Sequence, residues 1–200
     1  MSHFDEMARV WDENPQAVER AKAVAAAIRK AIPLDPSWSA LEYGCGTGLL
    51  SFELKNTLGP VILADSSSGM LQVSAEKIAA LGADDMQVRD LDLTRDPLPS
   101  ERFDLIYSMM TLHHIKELPP ALESFHALLK PGGYLAIADL DAEDGSFHPA
   151  GMDVHHGFER NALRTQLEQA GFQDIRFCDA FEMQREQRTY SVFLCVGRAD

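Results

Sequence analysis

Residues 41–51 read LEYGCGTGLLS, with Gly44, Gly46 and Gly48 at alternate positions directly behind the acid Glu42. A glycine weakens any strand or helix that contains it. Three within five residues therefore suit a tight turn, a ligand brought close to the backbone, and free amides at a helix start. A plain strand-to-helix turn needs one glycine. A dinucleotide site would use G-x-G-x-x-G, whose third glycine falls where Leu49 stands. Glu42 opposes that reading too, because a carboxylate repels pyrophosphate and attracts an ammonium. The expected ligand is cationic and has no phosphate at this end.

S-adenosylmethionine has that chemistry, with an ammonium, a sulfonium and no phosphate. Asp65 supplies a second contact. It closes the apolar run VILAD, ~20 residues past the first glycine, where an acid accepts from ribose hydroxyls. That placement alone suits NAD equally well, and an acid there is often just a helix cap, a task Ser66 to Ser68 can also fill.

Histidines supply the remaining chemistry. His113 and His114 follow FDLIYSMM, and His148, His155 and His156 lie in DAEDGSFHPAGMDVHHGF. Any of them could take a proton near neutrality; adjacent histidines also commonly cap helices or sit on the surface. His155 and His156 near Asp153 raise the question of a metal, but neighbouring ligands without a second spaced cluster are weak grounds, and no metal is expected. Cys45, Cys178 and Cys195 form no C-x-x-C pair. Cys45 reads as a small packed residue within the turn.

Alternating helix and strand signals must hold these residues. Asn14 and Pro15 open a helix through NPQAVERAKAVAAAIRKAI. SALEYG is a buried strand, TGLLSFELKNTLG a helix ended by Gly59, VILAD a strand, and SSGMLQVSAEKIAALG a helix with a glycine stop. MQVRDLDL, FDLIYSMM and YLAIADLD read as strands, the last preceded by the helix of PPALESFHALLKPGG. ERNALRTQLEQAG is helical, and FQDIRFCDAF and TYSVFLCVGR close the chain as paired strands. The expected fold is α/β, a doubly wound, seven-stranded, mainly parallel sheet with an antiparallel C-terminal strand. One domain spans 1–200, with a helical lid segment at 1–36 and an acceptor-side loop at 139–158. Phe4, Met7 and Trp11 are the aromatic and thioether groups of that lid.

A net charge of −13 argues against a nucleic-acid partner, since that binding rests on cations meeting phosphate. The basic stretch RAKAVAAAIRKAI reads as the solvated face of a helix. No apolar run reaches the ~20 residues of a membrane span, and the acidic start does not look like a signal peptide. With few cysteines, a cytoplasmic protein is expected, as monomer or homodimer.

Taken together, the chain resembles class I S-adenosylmethionine-dependent methyltransferases over nearly its whole length. LEYGCGTG is similar to their first motif, LADSSSGML to the second and RDLDL to the third; FDLIYSMMTLHHI and LLKPGGYLAIADLD are similar to the fourth strand and the turn into the fifth. The resemblance implies a Rossmann-like methyltransferase fold and S-adenosyl-L-methionine as cofactor. It implies that Glu42, Gly44, Gly46 and Gly48 line the methionine end and Asp65 holds the ribose. Met70 would pack on adenine, Asp90 would accept from its amino group with the Leu91 amide alongside, and Ser108 would meet the methionine through its backbone. Asp92 is a rival for the place of Asp90.

Methyl transfer needs its nucleophile in line behind the sulfonium methyl and shielded from water. A base is needed only where the acceptor must lose a proton, so His113, His114 and His155 are weak catalytic candidates. YSMM replaces the Asn/Asp-Pro-Pro-aromatic motif of nucleobase amine methyltransferases, and LHHI is closer to enzymes acting on quinone precursors and other small metabolites. Closure by the N-terminal segment and the 139–158 loop would make a small site, so a small-molecule acceptor is expected. The alternatives are a non-catalytic module that binds the donor or its demethylated product and, more remotely, a nicotinamide-dependent oxidoreductase.

Overall fold

The computed structural model describes residues 3–149, 151–185 and 187–200. A short helix α1 (His3–Met7) and a 3₁₀ turn (Ala8–Glu13) lead into α2 (Pro15–Ala31). Asn14 caps α2 by accepting from the Gln16 amide at 3.0 Å, with Pro15 in the first turn. Then follow β1 (Ala40–Tyr43), α3 (Leu49–Leu54), β2 (Val61–Asp65), α4 (Ser68–Leu81), β3 (Met86–Asp90) and β4 (Phe103–Met109). A 3₁₀ turn (Leu112–His114), α5 (Leu118–Leu128), β5 (Leu129–Leu140), α6 (Arg160–Gln169), β6 (Phe172–Arg185) and β7 (Arg188–Ala199) complete the chain.

The seven strands form one sheet in the order β3-β2-β1-β4-β5-β7-β6. Pairings from β3 through β5 are parallel, and β7 runs antiparallel to both β5 and β6. This is the expected doubly wound sheet. Alternation along the strands splits the core in two. Leu41 and Tyr43 of β1 face Leu122 and Phe125 of α5 and Leu163 and Leu167 of α6. Ala40 faces the other way, with Leu63, Leu105 and Tyr107, toward Val24 and Ile28 of α2 and Leu50 and Leu54 of α3. Helices thus cover both faces, which explains why the central strands are apolar on both sides.

Two local expectations change. The helix after the glycine turn stops at Leu54, before Gly59. Asn56 takes the left-handed conformation (φ 67°), and Gly59 is needed for close approach instead, since a Cβ there would lie 2.8 Å from the Pro36 carbonyl. The stretch KPGG joins β5, with a register shift opposite Phe103 and Leu105. The loop after β5 begins with Asp139 and Leu140 still in the strand, and its far end returns through a parallel bridge between Asp141 and Phe158. No helix among the described residues is long and apolar enough to cross a membrane.

Candidate functional site

Strand β1 pairs with β2 on one side and β4 on the other, so the chain winds outward in both directions from β1. Ligands of such sheets bind beyond the carboxyl end of the strand at this switch. The glycine turn stands there. Gly44, Gly46 and Gly48 all have positive φ (70°, 53° and 79°). A side chain at Gly44 would collide with Thr111. At Gly46 the nearest side-chain atom to an added Cβ is Met70 Sδ at 3.9 Å, so this backbone borders open space in a conformation that branched residues avoid. The turn is tied to β2: the Gly44 and Cys45 amides donate to the Ala64 carbonyl at 2.8 and 2.9 Å, and the Gly46 amide donates to Asp65 Oδ2 at 2.8 Å.

A cavity of about 620 Å³ opens over this turn, a size that suits a small organic ligand. Its lining includes Glu42, Gly44, Gly46, Asp65, Met70 and Leu91. Asp65 is not spent as a helix cap. Ser67 caps α4 through Oγ, which accepts from the Met70 amide, while Asp65 Oδ1 accepts from the Ser67 amide at 2.8 Å. Two backbone amides thus fix the Asp65 carboxylate and leave each oxygen a lone pair for a ligand. Burial pushes its carboxyl above the usual range. Met70 is 2% exposed and forms part of the cavity wall.

Glu42 lines the cavity but turns its carboxylate inward. Oε2 accepts from the Ser51 amide at 3.2 Å and from the Ser51 hydroxyl, which also bonds Tyr107 Oη at 2.6 Å. Burial pushes the Glu42 carboxyl up to about 8, against the pull of the Ser51 hydrogen bonds. Cys45 is buried and its thiol raised by that burial, as a packed residue's would be.

Three expected contacts are not where the sequence suggested. Asp90 is exposed at the end of β3 and does not line the cavity, whereas Asp92 does. The alternation of β3 ends before RDLDL is complete, and Asp92 turns inward with its carboxylate held by Thr94 and Arg95. The Leu91 amide donates to the Asp65 carbonyl at 3.2 Å, so Leu91 offers the cavity its side chain only. Ser108 is buried one residue behind the wall, its hydroxyl donating to the Tyr43 carbonyl at 2.8 Å, and Met109, Met110 and Thr111 line the cavity instead.

Phe4 and Trp11 from the N-terminal segment close one side, and Phe4 also meets the His114 ring edge-on at 5.3 Å. Asp5 accepts from the Ser67 hydroxyl at 2.6 Å and the Gly69 amide at 3.0 Å. Asp12 binds both the Thr47 hydroxyl and Lys77 Nζ, the latter at 2.7 Å. The N-terminal segment is thereby pinned to the glycine turn and to α4.

The histidines divide. His114 lines the cavity. His113 is 1% exposed, with Nδ1 bonded to Asp139 Oδ1 at 2.6 Å. Burial, followed by the proximity of other imidazoles, lowers His114 and His148 to about 4. His155 serves the loop: Nε2 donates to the Ile115 carbonyl at 2.9 Å and its amide to the His113 carbonyl at 2.8 Å. Asp153 pairs with Lys116.

Arg20 is the group that sequence reasoning passed over. It lines the cavity, is 9% exposed and takes part in no ion pair among the described residues. Nη1 reaches Met183 Sδ at 2.9 Å, a weak acceptor, and Nε has no partner. Burial lowers it to about 10, so it stays charged at neutral pH. The signal lay in the helical period: Arg20 sits on the stripe of Ala17, Ala21, Val24 and Ile28, which is the buried face of α2. Lys22, Arg29 and Lys30 are the solvated part of that basic stretch.

Such a cavity presents acids, left-handed backbone and apolar walls to its ligand, with one buried cation toward α2. Residues 16–176 match the family model described as a methyltransferase domain. A Schizosaccharomyces pombe protein named as an uncharacterised methyltransferase is 32% identical over 148 residues, covering 66% of this chain and 52% of that protein. The phosphoethanolamine N-methyltransferase of Triticum aestivum is 32% identical over 151 residues, covering 72% of this chain and 30% of that protein. The chain therefore spans about half of the first relative's length and less than a third of the second's. Among solved structures, a chain from the complex between the Haloferax volcanii Trm112 methyltransferase activator and a methyltransferase superposes with a TM-score of 0.80 at 18% identity, covering 100% of this chain and 98% of that one.

Proposed function

The chain belongs to the methyltransferase-domain family, with S-adenosylmethionine as its cofactor, and from that premise we propose that it methylates a small-molecule acceptor. The carrying observation is the cavity at the carboxyl edge of the sheet, in which a left-handed glycine backbone faces a carboxylate already fixed by two amides. Gly44 and Gly46 seat the methionine portion, Gly48 lets the turn pack on Leu63 and Phe52 behind them, and Glu42 takes up negative charge as the cationic donor binds. Asp65 accepts from the ribose hydroxyls, and Met70 and Leu91 pack on the adenine. Asp92 takes the acidic place at the adenine end that sequence had given to Asp90. Arg20 suits the cofactor's carboxylate, being the buried cation of a cavity that also presents Glu42, Asp65 and Asp92.

In transfer, a lone pair of the acceptor forms a bond to the methyl carbon. Bound there, S-adenosylmethionine would supply an electrophilic methyl group, its sulfur taking back the carbon–sulfur bonding pair as a neutral thioether. Any proton lost by the acceptor passes to water. The cover supplied by Phe4 and Trp11 supports a small acceptor over nucleic acid, as does the charge of −13. The phosphoethanolamine methyltransferases among the relatives point the same way.

Calorimetric titration with S-adenosylmethionine, with NADH as control, tests the cofactor side. A mass-spectrometric screen of small amines, phenols and carboxylates for methylated product tests the acceptor side. Micromolar donor binding with turnover on some acceptor is expected. Donor binding without turnover on any class would make this a binding module, and binding of NADH alone would overturn the reading.

A further inference from the structure

Three imidazoles converge at the edge of the donor cavity from two separate segments. His113 and His114 come from the 3₁₀ turn after β4, and His148 from the loop after β5. One ring nitrogen of each lies within 4.8 Å of the other two. The ring centroids stand 4.1 Å apart for His113 and His114, 4.9 Å for His113 and His148, and 5.4 Å for His114 and His148. Tetrahedral zinc with nitrogen ligands at ~2.0–2.1 Å places those nitrogens about 3.3 Å apart. Small movements of a ring on an irregular loop span that difference.

Two further observations single out this trio. The first is the support of His113. Its Nδ1 is bonded to Asp139, which is fully buried and further held by the Leu112 amide at 2.9 Å and the Leu140 amide at 2.8 Å. A carboxylate on one ring nitrogen fixes the tautomer and leaves the other nitrogen bare, the usual outer support of a metal-binding histidine. The second is His148. Its Nε2 is buried and has no hydrogen-bond partner, and a buried polar atom without a partner calls for one. His155 and His156, the pair that raised the metal question in the sequence, are not in the cluster.

We propose that His113, His114 and His148 form a binding site for a divalent transition-metal ion of the zinc type, with Asp139 as the positioning residue behind His113. Three imidazoles match the ligand preference of such ions and exclude magnesium and calcium, which take oxygen. Because His114 also lines the donor cavity, the ion stands at the cavity wall, and a fourth ligand can come from the acceptor side.

The test is titration of chelator-stripped protein with cobalt(II), read by its visible ligand-field absorption, with competition by zinc(II). One equivalent of cobalt with an intense, zinc-displaceable band is expected. His148→Ala, a change in a half-buried loop, abolishes the band, and Asp139→Asn weakens the affinity roughly 10–100-fold. His126→Ala, which removes an imidazole paired with Asp200 elsewhere, keeps the full equivalent. Absence of a stoichiometric band, or a band that survives His148→Ala, overturns the proposal. Donor binding by the same stripped protein is measured separately, so failure of the metal site leaves the cofactor reading to its own test.

Discussion

Glu42 is a carboxylate behind the turn proposed to seat the cationic donor, and its burial determines how it behaves. Its carboxyl moves from an ordinary 4.5 up to about 8. Below pH ~4.5 it is protonated in both the folded and the unfolded chain and contributes nothing to pH dependence. Between ~4.5 and ~8 the folded chain holds the extra proton, so the unfolding free energy falls as pH rises, and the loss is complete above ~8. Glu42→Gln keeps a hydrogen-bond acceptor for Ser51 and should flatten that slope, as chemical denaturation at several pH values would show. A cationic donor favours the ionised form, so binding near neutrality should release a proton. Calorimetry in buffers of different ionisation enthalpy measures it, and a buffer-independent enthalpy would contradict the placement of Glu42. Asp65→Ala should weaken the donor by ~1.5–3 kcal/mol, the range for hydrogen bonds to a charged group. Asp65→Asn should lose less, since one oxygen remains. Unchanged affinity in a folded Asp65→Ala protein would remove Asp65 from the ribose site.

At the scale of elements, the N-terminal segment proposed as a lid has few apolar anchors of its own. Among the described residues of α1 and the following 3₁₀ turn, only Ala8 is buried. Polar ties hold the segment down instead: Asp5 to the start of α4, Asp12 to Thr47 and Lys77, and Arg9 to Glu76. Segments held by few buried contacts open at low free-energy cost, which suits a cover that must admit a ligand. Phe4→Ala combined with Trp11→Ala should raise the donor's off-rate roughly tenfold, equivalent to ~1.4 kcal/mol, with the circular dichroism of the sheet unchanged. An unaltered off-rate would leave these rings as plain packing. Helix boundaries show the reach of local chemistry. Asn14 and Gly82 end their helices as their side chains and conformations direct. Gly59 does not, because its absent Cβ serves a contact with residues 36–38 across the fold.

At the level of the molecule, the sheet is a rigid platform and the site occupies its carboxyl edge. Phe125 is fully buried between α5 and the sheet, edge-on to Tyr43 at 5.3 Å. Phe125→Ala should cost ~3–5 kcal/mol, read by denaturant unfolding; a cost below 1 kcal/mol would mean that this face of the core is loosely packed. A ligand that binds only the folded chain adds ~2.7 kcal/mol at a hundred times its Kd. For a domain of this size that is roughly 5–10 °C in Tm. S-adenosylmethionine should therefore raise Tm by that amount, and an unshifted melt at such a concentration would count against donor binding.

Most of the fold and the donor half of the site follow from rules that act over a few residues. Period 2 against period 3.6 separates strands from helices. Glycines mark positions where a Cβ is forbidden, and an acid at a strand end faces the ligand edge of a parallel sheet. Gly44, Gly46 and Asp65 could be found this way at the cavity wall; Met70 followed from the family resemblance, and Gly48 serves packing against Leu63 and Phe52. What local rules cannot reach is the meeting of distant segments. Whether Asp90 or Asp92 turns inward depends on where β3 leaves the sheet. Arg20 is a cavity residue only because α2 packs its apolar stripe against α3, β6 and β7 and carries that guanidinium inward. His148 joins His113 and His114 only because the loop after β5 folds back along the turn after β4, 34 residues up the chain by the numbering. Side-chain chemistry is encoded one residue at a time, but a site is made by loop closure and packing, and those are properties of the whole chain.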